Sequence, residues 1–569
     1  MITALYLLPL AGSAIASNPN EVARIELAVS IAFWARLDLG SAAEIYGMSE
    51  DVSIRGSKVY SDKAPGLSIA AVPAIWTLGP LLPRAPASNL PAFWPLRHLL
   101  TLLLVALPAV ALAFIIAAAV PDIDSGTRSA MAVIAALATP LWTYGSVFFG
   151  HVPAALLVAA AWYSLLGFPG VDSAVDARRA SIGGILAGFA IATEYPTVLL
   201  VALIFGTLLV RRTAPLILVS ATAGACVGML PALLYHQLAF GAPWLTGYAL
   251  KAHGDFQAIH EQGIFGVSKP TFEALWGVLF SAQRGIFYYC PLLLLAPFGF
   301  FRMVKSRGWR DVGPLLIAVV MYVIFAAGFV DWTAGWCAAA RHLVPILGLL
   351  AVPALFAAKL LAEHRLGSVV VVILVAISGA NAVLSLALTP YFPPEFAAPL
   401  AQLVLPSLTD GAGFSNLLSS ALGTSPWITA VLCGVFALLT LALAANRLIG
   451  RMSWWLPVVF VATVAFLLSA YWWQGSSPST EIELMRAQVL RRLGHAAIAE
   501  RIEGPLLSAA RLDPGQTSLE RVPSISARTL VRRLARSSRC FSSSATRSPS
   551  PDSESSWVSS SSTLAASLD

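Results

Sequence analysis

The chain has 569 residues, of which 57% are hydrophobic and only 11% charged, against about 25% charged in a soluble domain. With a mean hydropathy of +0.77 and many apolar runs near membrane length, this composition excludes a soluble catalytic body and defines a polytopic helical membrane protein. The net charge of +7 lies largely in short loops and the C-terminal tail, so it reports topology and gives no support to nucleic-acid binding.

In chain order, the apolar segments predict spans at 2–16, 98–120, 129–149, 152–168, 182–210, 214–235, 286–303, 313–330, 343–358, 367–388, 427–446 and 453–473. The expected fold is therefore all-α, with about 11–13 transmembrane helices. The first segment reads as a membrane helix, with a cleaved signal as the alternative; it lacks a basic leader. The span 182–210 is interrupted at Ala192-Thr-Glu-Tyr-Pro196, and arginine pairs flank it at both ends. A carboxylate at such a break predicts a hairpin of two short helices, with Glu194 facing protein or a wet cavity.

Basic clusters set the orientation. Arg178-Arg179, Arg211-Arg212, Arg302 to Arg310, Lys359 to Arg365, and Arg447 with Arg451 read as cytoplasmic. The intervals 17–97, 236–285, 331–342 and 389–426 then fall on the outer side. Within the first of these, residues 20–39 carry apolar positions at helical spacing and predict an amphipathic helix at the interface. The Pro-containing segment 67–83 reads as a juxtamembrane or re-entrant helix on the same face. Residues 1–475 thus form the membrane domain, 476–522 a short soluble helical segment, and 523–569 a Ser/Arg-rich tail expected to lack order.

The residues that could carry chemistry gather in the outer intervals. Glu21, in Asn18-Pro-Asn-Glu21, reads either as an acid favouring a helix N-terminus capped by Asn20 or as a general base at the water–lipid boundary. Tyr60-Ser-Asp-Lys-Ala-Pro65 places Asp62 and Lys63 at a helix start; they read as a solvated turn or as a phosphate-holding ammonium oriented by its neighbour. His151 ends a Pro-initiated segment on the same side, as a structural residue or a donor-binding one. Arg284 and Arg341 are basic groups that could snorkel or meet a lipid phosphate, and Trp332 suits an interfacial belt or stacking on a sugar. Asp62, His151, His253 and Asp255 have some character of metal ligands, but no HExxH helix is present. No cofactor is indicated with certainty, and a divalent metal stays open. The five cysteines form no CxxC pair, and four read as small buried hydrophobes. No GxGxxG, P-loop or GxSxG motif occurs in a suitable context, so a nucleotide-activated donor has no domain to bind it.

Taken in order, Glu21, Tyr60 to Pro65, Pro140 to His151, Gly184 to Pro196 and Trp332 to Pro345 resemble the GT-C superfamily of integral-membrane glycosyltransferases. The relatives in mind are protein O-mannosyltransferases and aminoarabinose transferases. The resemblance spans roughly residues 1–350. It implies a GT-C-like helical bundle with outer-face juxtamembrane helices. It also implies inverting transfer of a sugar from a polyprenyl-phosphate donor to a hydroxyl of a lipid, glycan or protein. On that resemblance the protein lies in a bacterial cytoplasmic membrane with its active site outside. Glu21 would be the base and Lys63 a ligand of the donor phosphate, with Arg284 or Arg341 beside it. Two positions depart from the pattern: Glu21 stands where Asp is usual, and His151 stands where a second acid is usual, which removes an oxygen ligand from any metal site. The competing reading is a transporter or lipid-glycan flippase, which the broken helix at Glu194 and Pro196 would suit. A non-catalytic envelope scaffold is the other.

Overall fold

The computed structural model describes residues 5–6, 18–46, 49–78, 93–121, 123–167, 175–252, 254–263, 266–414, 416, 419, 422–450, 455–476 and 478–512. It divides into two units, Met1–Ile502 and Glu503–Asp569, and the account below concerns the first. The expected first span lies outside the described residues apart from positions 5 and 6, as does the tail 523–569.

The molecule is a helical bundle with one small hairpin. Helix α1 (Pro19–Trp34) is followed by strands β1 (Val52–Arg55) and β2 (Lys58–Ser61), then by α2 (Gly66–Leu78). The strands pair antiparallel, Val52 opposite Ser61, around a tight turn with Gly56 at φ 62°. Composition and periodicity gave no sign of this hairpin, but the Gly56-Ser57 pair between two β-prone runs is a turn signal. Helices α3 (Leu96–Ala119), α4 (Ser125–Leu137), α5 (His151–Leu165), α6 (Ala177–Thr193), α7 (Val198–Val210) and α8 (Pro215–Phe240) follow. The remainder comprises α9 (Ala296–Arg307), α10 (Trp309–Gly328), α11 (Leu347–Ala362), α12 (Arg365–Ala387), α13 (Pro426–Ile449) and α14 (Trp455–Gly475). Helices α15 (Thr480–Arg492) and α16 (Ala496–Leu512) occupy the segment expected to be soluble and helical.

Among the described residues, seven helices are long and apolar enough to cross a bilayer, and four shorter apolar helices accompany them. Of the other predicted spans, 2–16 lies almost wholly outside the described residues, 152–168 is the 15-residue helix His151–Leu165, and three are interrupted. Segment 129–149 stops at Leu137 and restarts at Pro140; segment 182–210 breaks at Glu194 before Pro196; segment 286–303 breaks at Cys290-Pro291. Proline removes a backbone donor and clashes with the preceding turn, so each break falls beside one. Cys226 also departs from expectation: it is exposed on α8, whereas Cys290 and Cys337 are buried.

The two ends of the bundle are chemically distinct. At one end Arg179 donates to the Tyr163 carbonyl (2.7 Å) and Arg211 to the carbonyls of Leu166 and Arg310 (3.1 Å each). Arg447 lies against Gly126 at this end, so the basic clusters are gathered together. At the other end the four outer intervals are stitched to one another. Lys251 reaches Asp62 at 3.0 Å, Tyr391 donates to Glu21 at 2.6 Å, and the Cys337 N–H donates to the Phe392 carbonyl at 3.1 Å. The pairing of positive ends agrees with a single cytoplasmic side.

Helices α6 and α8 pack backbone to backbone through glycines on both. Added methyls on Gly184 and Gly188 would lie 2.0 Å from the carbonyl oxygens of Ala221 and Ala225, and those on Gly224 and Gly228 would lie 2.2 Å from the carbonyl oxygens of Ser181 and Ile185. The two Gly-x-x-x-Gly faces are therefore reciprocal, letting backbones touch where lipid supplies no hydrophobic drive. This contact fixes α6, and with it the Glu194 turn. Gly188→Ala should cost about 1–3 kcal/mol through overpacking. Gly206→Ala, whose methyl meets nothing within 4 Å, should be neutral or slightly stabilising. Thermal unfolding in detergent checks this; equal midpoints for the two variants would contradict the close-contact assignment.

Candidate functional site

Five local features converge at the stitched end. The first is the start of α1. Asn18 caps it by accepting from the Asn20 N–H (3.0 Å), and Pro19 supplies the first helical position. The cap is thus Asn18, two residues before the expected Asn20. Asn20 instead accepts from Arg24 Nε at 3.0 Å. Glu21, Arg24 and Glu26 are all buried, so the first turns of α1 are embedded in protein; Glu21 and Arg24 have internal partners, whereas both Glu26 oxygens lack a hydrogen-bond partner among the described residues.

Glu21 is enclosed. Arg97 Nη2 donates to Oε1 at 3.0 Å and Nε lies 3.2 Å from both oxygens. The Tyr391 hydroxyl donates to Oε2, and the Phe148 N–H donates to Oε1, each at 2.6 Å. Both carboxylate oxygens are therefore occupied, and the group has no solvent exposure. Its contact with Phe148 fixes the turn that leads through Gly150 to His151.

The second feature is a chain of alternating charges below the hairpin. Lys63 Nζ lies 3.0 Å from Asp51 and 3.1 Å from Asp62, and Lys251 Nζ lies 3.0 Å from the other Asp62 oxygen. The pairing is built locally. Asp62 and Lys63 follow β2 directly, and Lys251 is brought in by a bridge to Ser53 and by the Ala252 N–H donating to the Val52 carbonyl at 3.0 Å. Burial opposes ionisation of Asp62, but the two ammonium groups outweigh it and hold the carboxyl below its usual range. Burial likewise opposes charge on Lys63, and Asp51 and Asp62 together hold its ammonium above the ordinary lysine value.

The third feature is the tip of the α6–α7 hairpin. Glu194 terminates α6, and its Oε1 accepts from Arg24 Nη2 at 2.7 Å while His151 Nδ1 lies 3.4 Å away. Oε2 has no hydrogen-bond partner among the described residues. A methyl on Gly150 would sit 2.5 Å from Oε1, so the His151 turn must carry glycine there. The fourth feature is Arg341 with His342. Arg341 Nε and the Nε2 atoms of His342 and His151 are buried and without partners among the described residues. The charges of Arg24, Arg341 and Lys63 all act on Glu194. The fifth is an arc of rings: Tyr195 against Tyr248 (5.8 Å), Tyr248 stacked on His260 (4.7 Å), His260 against Phe329 (6.0 Å), Phe329 against His342 (5.0 Å), and His342 against His151 (6.2 Å). Tyr195, Tyr248, Arg341 and His342 are only partly buried, which leaves the cluster accessible.

The expected residues divide accordingly. Lys63, Asp62, His151 and Arg341 come together. Arg284 does not join them: its guanidinium donates to the carbonyls of Thr333 (2.8 Å), Gln283 (3.0 Å), Gly335 (2.8 Å) and Phe392 (3.0 Å) and is fully buried. It ties three loops together and has no face left for a phosphate. Trp332 packs on Gly277, and Tyr60 packs edge-on against Phe240. His253 and the side chain of Asp255 lie outside the described residues. A metal does not suit what is described. No three His, Cys, Asp or Glu side chains converge among the described residues. Asp62 already faces two ammonium groups, and His151 lies under the charges of Arg341, Arg24 and Lys63.

Arg24, Asp51, Lys251 and His342 were not singled out for the site from sequence, and Glu194 was noted only as a break in a helix. Burial of Arg24 was the missing signal, and spacing cannot supply it: its carboxylate partner lies 170 residues away.

No family model matches the chain, and no curated protein matches it. Among solved structures, it is similar to ArnT from Cupriavidus metallidurans bound to undecaprenyl phosphate, at 16% identity and a TM-score of 0.46, covering 92% of this chain and 80% of that one. The apo ArnT structure matches at 16% identity and a TM-score of 0.41, covering 79% and 76%. At these scores the likenesses carry none of the site assignment, which rests on the side-chain geometry.

The Asp62 pairing generates a pH prediction. Its folded value is depressed, so the pairing stabilises the protein above the unfolded value of about 4 and is lost as pH falls through the lower folded value. Asp62→Asn should therefore destabilise by about 1–3 kcal/mol at neutral pH, because Lys63 and Lys251 each lose a buried ion pair while Lys63 keeps Asp51. The gap between variant and parent should narrow below about pH 4. Unfolding midpoints across pH check it; a gap independent of pH would remove the ion pair as its cause.

Proposed function

We propose that the stitched end of the bundle transfers a sugar from a polyprenyl-phosphate donor to an acceptor hydroxyl. The observation that carries this reading is a buried carboxylate, Glu194, ion-paired to Arg24 at 2.7 Å and within the influence of Lys63 and Arg341, beside an arc of rings of which Tyr195, Tyr248 and His342 are only partly buried. An anionic lipid headgroup and a neutral ring suit such a site. Arg341 has no ion pair among the described residues, and Lys63 retains donor capacity beyond its two carboxylates. They would hold the donor phosphate, with the guanidinium's fork suited to phosphate oxygens.

In this mechanism Glu194 Oε2 takes the proton from the acceptor hydroxyl. The hydroxyl oxygen forms a bond to the anomeric carbon as the bond from that carbon to the phosphate oxygen breaks. The electron pair leaves with the polyprenyl phosphate, whose charge Lys63 and Arg341 stabilise in a site shielded from water. Arg24 holds Glu194 in place. Glu21, the expected base, has both oxygens committed to Arg97, Tyr391 and the Phe148 N–H, and in this reading it positions the His151 turn.

Transport is the weaker fit. Transporter sites lie near the bilayer midplane between related halves. Helix α6 has 17 residues, about 25 Å of rise, so its Glu194 end lies most of a bilayer away from the Arg178-Arg179 end. The charged cluster is therefore at one face. By the distribution of basic residues that face is the outer one, and the membrane would be a bacterial cytoplasmic membrane.

Reconstitution with a polyprenyl-phosphate sugar and mass spectrometry of copurified lipid test this reading. Glu194→Gln should reduce transfer by about 10²–10⁴-fold with donor still bound. Glu21→Gln, compared at equal folded protein, should retain more activity than Glu194→Gln. The reverse ranking would return the base to Glu21, and absence of both bound lipid and product would defeat the transferase reading.

A further inference from the structure

The phosphate and the proton account for Lys63, Arg341, Arg24 and Glu194. They leave two imidazoles unexplained. His151 and His342 come from different parts of the chain, one at the start of α5 and the other in the turn before α11, yet their ring centroids lie 6.2 Å apart. The Nε2 atom of each is buried without a partner among the described residues. A buried polar atom left unsatisfied costs free energy comparable to a lost hydrogen bond, so two side by side point to a ligand that completes them. His151 Nδ1 lies 3.4 Å from Glu194 Oε1, and its Nε2 is the ring nitrogen left without a partner among the described residues. A ring nitrogen so placed suits a hydroxyl, which can both donate and accept.

The surrounding charges narrow the ligand further. Lys63, Lys251, Arg24 and Arg341 are the cations of the cluster, and Asp51, Asp62 and Glu194 are its anions, with Asp331 also acting on Arg341. Arg341 makes no direct ion pair among the described residues, so a phosphodiester would find a partner there. A sugar bearing an ammonium group would add a positive charge beside His151, on which the charges of Arg341, Arg24 and Lys63 already act, in a poorly solvated place.

We infer that His151 and His342 form the sugar subsite of the proposed active site, and that the transferred sugar is an uncharged one recognised through its hydroxyls. This inference rests on the transferase reading. The two histidines bind the ring, while Arg341 and Lys63 bind the phosphate, so the two contributions are separable by ligand.

The test measures binding to the full-length protein in nanodiscs of three probes: undecaprenyl phosphate, undecaprenyl phosphate-glucose, and an undecaprenyl phosphate bearing an amino sugar. Wild type should bind the glucose lipid about 10-fold or more tightly than the bare lipid, and the amino-sugar lipid no more tightly than the bare one. His342→Leu should abolish the gain from glucose and leave bare-lipid affinity unchanged. His342→Gln, which keeps a polar group near the Nε2 position, should restore part of the gain and guards against a folding defect in the leucine variant. A glucose gain that survives in His342→Leu, or amino-sugar binding equal to glucose binding, would overturn the subsite. Failure of wild type to bind even the bare lipid would overturn the transferase reading itself, and the subsite with it.

Discussion

A carboxylate buried at the end of a membrane hairpin is stable only if a counter-charge or hydrogen-bond donors are brought to it, because removing an ion from water costs several kcal/mol. Arg24 supplies that counter-charge to Glu194 from another element, at 2.7 Å. The same guanidinium donates to the Ala64 carbonyl at 2.9 Å and is held by Asn20. One side chain therefore fastens helix α1, the segment after the hairpin and the tip of α6 together. Helix α1 can be embedded at its start because Glu21 and Arg24 find partners inside.

The two carboxylates at this end show how environment separates roles. Glu21 and Glu194 are chemically identical, and both are paired with arginine. Glu21 is saturated by a guanidinium, a phenol and a backbone N–H, so it contributes rigidity. Glu194 is held through one oxygen, and the other has no hydrogen-bond partner among the described residues. The turn 146–151 links them: the Phe148 N–H reaches Glu21, and three residues later His151 faces Glu194. A change at either carboxylate should be felt at the other through this short segment, since residues sharing a network do not act additively.

Much of the architecture was legible because membranes impose simple rules. Apolar length marked the spans, proline and a carboxylate marked the break at Glu194, and arginine pairs marked the ends that the structure gathers together. The helix count was less legible, since proline at 140, 196 and 291 divides apolar runs that composition alone joins. The hairpin was missed because its strands are only 4 residues long and lie inside a polar interval. Within the site, Asp62-Lys63 stood out as a local motif. Arg284 stood out equally well and proved to be a loop fastener, because a basic residue at a helix boundary looks the same whether its donors face carbonyls or a ligand.

The sequence by itself determined the class of protein and which intervals share a face, because hydropathy and charge asymmetry act residue by residue along the chain. Only the tertiary structure decided which carboxylate remains available. Glu21 is closed off by Arg97 and Tyr391, 76 and 370 residues away, while Glu194 is held by Arg24 across 170 residues. Such pairings are set by packing between distant segments, and no local pattern of residues encodes which lone pairs they leave free.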